Sequence, residues 1–122
     1  MRRTPLAPQD TYDLFLDPAL RLPWFSVTEL PQRPAADQPS WTVVLTEIDD
    51  GAATNRCSVT HEDVLRAVRV ISRRRGKRLV SARTRERCRA LMDRGRGAVD
   101  PRTADQVLQV AAFGEAPYGP RR

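Results

Sequence analysis

Three side chains in this sequence have types and spacing that could serve as nucleophiles or metal ligands: Cys57, His61 and Cys88. Thiolate and imidazole are the usual zinc donors, and Cys57 and His61 stand four residues apart at the end of one segment and the start of the next. The Cys-x-x-Cys pair of structural zinc sites is missing, and Cys88 lies far along the chain. The competing reading is two half-buried thiols and a surface histidine at a helix start. With one histidine in the whole chain, no catalytic triad can be drawn. Glu62 and Asp63 follow it, but acids in the first turn of a helix are ordinary partners of the helix dipole. The expectation is a non-enzymatic protein without metal or other cofactor. Two cysteines and no apolar leader after Met1-Arg2-Arg3 point to reduced thiols in the cytoplasm.

The second chemistry is that of the guanidinium group. Of 21 basic residues, 20 are arginine and one is lysine, Lys77. Asparagine occurs once (Asn55) and isoleucine twice (Ile48, Ile71), while Ala, Pro and Val are common. That is the codon signature of a GC-rich bacterial or phage genome, and it accounts for Arg over Lys. It does not account for placement. Residues 1–55 carry four basic and eight acidic side chains, a local −4. Residues 56–96 carry 14 basic and four acidic ones, a local +10, and residues 97–122 balance. A segment so charged has the electrostatic footprint of a polyanion binder. The residues expected to contact phosphate are Arg66, Arg69, Arg73, Arg74, Arg75, Lys77 and Arg78, followed by Arg83 and Arg87. The competing reading is a solvated face, balanced by Asp10, Asp13, Asp17 and Glu29 of the N-terminal segment lying across it. Between Arg56 and Arg96 there is no Phe, Tyr or Trp, which argues against a base-stacking single-strand binder. Glycine-rich phosphate loops and RNA-binding aromatic signatures are also absent.

These arginines need elements to hold them. Residues 1–40 contain seven prolines, so no long helix is expected there. Tyr12, Leu14 and Leu16 alternate with Asp13, Phe15 and Asp17, a strand-like period, and the segment reads as an extended arm with short strands or turns. Within it Trp24 and Phe25 are candidate partner-docking anchors. Residues 32–40 read as a linker. Trp41–Ile48 is a strand with Trp41, Val43 and Leu45 on one face, and Arg56–Thr60 a second with Cys57 and Val59 facing one way. A loop from Asp49 to about Asn55 would join them. Thr60 is placed to cap a helix from His61 to about Arg74, with Val64, Leu65, Val68 and Ile71 inward and Arg66, Arg69 and Arg73 outward. Ser81 would cap a second helix to about Arg94, with Thr84, Cys88 and Leu91 on one stripe. Asp100-Pro101 starts a third, ending at Phe113 before Gly114.

The expected fold class is therefore α+β: a small antiparallel hairpin or sheet, then three helices, preceded by the Pro-rich arm. The expected organisation is arm and linker over 1–40, a globular unit over 41–114 and an irregular tail over 115–122. The connections between helices are about six residues long, too long for a tight helix-turn-helix. No apolar run is long enough for a membrane helix, and the mean hydropathy is −0.53. The leading functional expectation is nucleic-acid binding through the phosphate backbone. The alternative is a protein–protein interaction module, a regulator or assembly component using the aromatic arm and the Arg face on an acidic partner.

Overall fold

The computed structural model describes residues 6–17, 25–27, 32–49, 51–73, 79–94 and 99–114. It is an α+β fold: a three-stranded antiparallel sheet followed by three helices, with a short helix at the N-terminal side.

The first element corrects the expected arm. Residues 8–17 are helical, not extended. A short helix α1 (Pro8–Thr11) runs directly into a wide π-helical stretch (Tyr12–Leu16), in which Asp17 N–H bonds the Tyr12 carbonyl. Pro8 sits in the first turn, where its missing N–H costs nothing, and Ala7 N–H donates to Asp10 Oδ2 at 2.9 Å. The apparent alternation misleads. Thr11, Phe15 and Leu16 are buried, Leu14 is half-buried, and Asp10, Asp13 and Asp17 are exposed. Exposure thus recurs at helical spacing, not at every second residue. Burying Phe15 and Leu16 contributes roughly 1.5–3 kcal/mol apiece. Residues 32–40 lie against this helix: Gln9 Nε2 donates to the Pro34 carbonyl at 2.9 Å, and Arg33 forks onto Asp13.

The sheet has the order β1 (Phe25–Val27), β2 (Thr42–Asp49), β3 (Ala52–Thr60). Leu45 pairs with Val27 on one side and Cys57 on the other, and Val43 pairs with Val59. Trp41, Val43, Leu45 and Val59 are all buried, so the strand faces read from sequence hold. The hairpin is tighter than expected. Asp49 pairs with Ala52, leaving a two-residue connection in which Gly51 takes φ +79°. Asp-Gly is the usual sequence for such a turn, because a residue with a Cβ resists that φ. β3 therefore starts at Ala52, with Thr54 and Asn55 bulging opposite Glu47; Asn55 Nδ2 donates to Glu47 Oε1 at 3.1 Å.

Three helices follow: α2 (His61–Ser72), α3 (Ala82–Arg94) and α4 (Pro101–Phe113). Thr60 caps α2 reciprocally with Asp63: Asp63 N–H donates to Thr60 Oγ1 at 3.1 Å, and Thr60 N–H to Asp63 Oδ2 at 2.9 Å. Ser81 Oγ accepts Thr84 N–H at the start of α3. Asp100 Oδ1 accepts Thr103 N–H at 2.8 Å ahead of Pro101, and Gly114, at φ +79°, closes α4. α4 is the centre of the molecule. It contacts α2, α3, β3 and the π-helical stretch, and Thr103, Ala104, Gln106, Val107, Leu108, Gln109 and Val110 are all buried.

Candidate nucleic-acid interface

On α2, Val64, Ala67, Val68 and Ile71 are buried, while Arg66 and Arg69 are exposed, as is Arg73 just past its last residue. Arg66 and Arg69, three residues apart, share one outward face of the helix. The helix ends at Ser72, short of the expected Arg74, so Arg73 is its C-cap residue with extended backbone (ψ 177°) and lies beyond that face. Arg66 Nη1 lies 3.2 Å from Asp63 Oδ1, with 70% of the arginine side chain exposed. An exposed pair of this kind contributes little and leaves the guanidinium open to other anions.

Arg73 follows the last residue of the helix. Its backbone carbonyl accepts a hydrogen bond from Arg85 Nε at 3.2 Å, so a cation on α3 covers an orphan acceptor at the negative end of α2. The sequence carries no signal for this contact, because it joins two helices across a loop. It brings Arg73 and Arg85 together at the mouth of the connecting segment. Arg74, Arg75, Lys77 and Arg78, the densest part of the expected site, lie in that segment and outside the described residues.

The other expected contacts are placed differently. Arg83 Nη2 stands 3.4 Å from Asp100 Oδ2, across the α3–α4 connection, with 65% of its side chain exposed. Arg87 is half-buried and engaged by a neighbour. The outer face of α3 is of mixed sign: Arg83, Glu86, Arg87, Arg89, Ala90 and Asp93 line one open groove. Trp24 lies outside the described residues. Phe25 contributes backbone to β1, opposite Glu47, and its side chain lies outside them.

Two of the N-terminal acids are held within their own segment. Asp13 is bound by Arg33, whose guanidinium keeps the carboxyl below its ordinary value of 3.8. Asp10 accepts the Ala7 N–H. Glu29 lies outside the described residues.

His61 is a buried residue, not a surface one. It is 5% exposed, and its Nδ1 stands 2.8 Å from Thr11 Oγ1. Burial pulls its pKa below 6.5, partly opposed by the charges of Glu62 and Asp10. Both cysteines are free. Cys57 is half-buried at the sheet, and burial, with the charge of Glu47, raises its pKa. Cys88 is buried in the core, and burial pushes its thiol up to about 12. Among the described residues, no group of three or more His, Cys, Asp or Glu side chains converges as a metal site, and no helix is long and apolar enough to cross a membrane. No family model, curated protein or solved structure matches the chain.

Proposed function

We propose that the protein binds nucleic acid through the phosphate backbone, with Arg66, Arg69 and Arg73 as its ordered contacts. The observation that carries this reading is the exposure of Arg66 and Arg69 on one face of α2 and of Arg73 at its C-cap, while the N-terminal helix packs on α4 and on the His61 end of α2. Arg74, Arg75, Lys77 and Arg78 join the contact set by sequence adjacency to Arg73. Arg83 and Arg87 are secondary, since they line a groove shared with the carboxylates of Glu86 and Asp93. Guanidinium forks suit phosphate oxygens, and a face without aromatic side chains favours the backbone over the bases. The protein acts, in this reading, as a non-enzymatic cytoplasmic binder.

The test is a gel shift on duplex and single-stranded DNA at two salt concentrations. Affinity should fall steeply with salt, and Arg66→Gln/Arg69→Gln/Arg73→Gln should lower the slope of log K against log salt by up to about 2.7, at ~0.9 per phosphate contact. Absence of binding by the unaltered protein at low salt sinks the proposal.

A second reading, a protein-docking module, is favoured by one observation: the alternating charge on the outer face of α3.

A further inference from the structure

Arg85 is missing from the contacts that the sequence suggests, yet the fold sets it beside Arg73. Its Nε donates to the Arg73 carbonyl at 3.2 Å. That carbonyl belongs to the C-cap of α2, where the chain turns extended. A cation is favoured at this negative helix end, so the bond orients the guanidinium as well as covering an acceptor. It uses one of the five N–H donors of the group and leaves those on the two Nη atoms. The Arg85 side chain is half-buried, whereas Arg73 is exposed. Among the described residues, no carboxylate pairs with either of them.

A carbonyl carries no net charge, so Arg85 stays a full cation after bonding it. The first turn of α3 holds no acid, and Glu86, next along, lines the mixed groove with Arg89 and Asp93. Backbone bond lengths put Arg85 Nε within roughly 6 Å of the Arg73 Cα. An arginine stem spans that distance, so the two guanidiniums can close on one oxyanion from two different elements. We infer that Arg73 and Arg85 form a paired-guanidinium site for a phosphate group, with Arg85 held in place and the exposed Arg73 closing onto it. The inference rests on the phosphate-contacting role proposed for α2, and it extends the contact to α3. Guanidinium meets phosphate oxygens with two parallel N–H bonds, and a fork already oriented loses less freedom on binding. A phosphate gripped from both helices also fixes the protein's orientation on a nucleic-acid backbone, which the Arg66–Arg69 face alone does less well.

Nuclear magnetic resonance of the arginine Nε–H groups tests this, with inorganic phosphate titrated at constant ionic strength. The two signals are assigned by their loss in Arg85→Lys and Arg73→Lys. In the unaltered protein both should shift saturably, with one midpoint. In Arg85→Gln the Arg73 shift should need at least about threefold more phosphate, and Arg85→Lys, which keeps the charge without the fork, should fall between. Circular dichroism checks folding, and Arg85→Lys carries the comparison if Arg85→Gln does not fold. An Arg85 that only caps α2 would lower stability to urea when replaced and leave the Arg73 midpoint unmoved. That result, or no saturable shift in the unaltered protein, overturns the inference. The gel shift on DNA is read separately. Phosphate shifts without DNA binding remove the nucleic-acid reading and keep the site, whereas DNA binding without phosphate shifts removes the site alone.

Discussion

Trp41 and His61 meet at a single atom: the indole Nε1 and the imidazole Nδ1 each stand 2.8 Å from Thr11 Oγ1. His61 N–H also donates to the Trp41 carbonyl at 3.2 Å. One hydroxyl thus ties the N-terminal helix to the residue that leads into β2 and to the first residue of α2. The Thr11 oxygen accepts from Trp41, and its own proton serves Pro8 O or His61 Nδ1. Thr11→Val keeps the shape and removes the hydroxyl, so His61 Nδ1 loses its partner while Trp41 Nε1 keeps the Pro8 carbonyl at 3.1 Å. It should cost about 1–3 kcal/mol, read from urea denaturation followed by tryptophan fluorescence.

The same cluster sets a pH dependence. Above pH 6.5 His61 is neutral in both the folded and unfolded chains. Below it, the unfolded chain takes up a proton that the buried ring resists. Stability should therefore fall as the pH drops from 6.5 toward the lowered folded value and then level off. Further down, Glu62, held low by the Ser40 hydroxyl, and Asp100, held low by the Thr103 N–H, lose their contributions as they are protonated. Denaturation midpoints measured across this range should show two descending limbs. His61→Gln should flatten the upper one and leave the lower one in place.

Caps give a sharper local test. Asp100→Ala removes the acceptor for Thr103 N–H and should cost about 1 kcal/mol, whereas Asp100→Asn should cost only part of that. Equal losses in the two variants would mean that the charge, through Arg83, matters more than the cap.

The two thiols should separate cleanly under a thiol reagent. Cys57, half-buried on β3, should react slowly in the native state. Cys88, buried and with its pKa raised to about 12, should react only on unfolding. Native-state labelling of both at one rate would contradict the placement of Cys88.

How much of this the sequence discloses depends on the range of the interaction. Caps at Thr60, Ser81 and Asp100, and the inward stripes of α2 and α3, follow from neighbours within four residues, and they are readable. Tyr12–Leu16 misleads because five residues offer little over which to separate a period of two from one near four, and burial against α4 decides it. The early start of β3 is hidden because Ala52–Asn55 have weak strand preferences, and pairing with β2 overrides them. For the site, the Arg66–Arg69 pair is legible as spacing, whereas the helix ends at Ser72 and leaves Arg73 outside the expected row. The Arg85–Arg73 contact and the Arg83–Asp100 pair join different elements, and no local pattern announces them.

The central position of α4 has a temporal consequence. Chains emerge from the ribosome in sequence order, and the inward faces of the N-terminal helix, α2 and α3 all close on the last described helix. Until residues 101–113 are clear of the exit tunnel, those faces lack the element that closes them. The nascent chain must carry uncovered Phe15, Leu16 and Ile71 while everything ahead of α4 is made, and the window for misassociation shuts only when α4 docks.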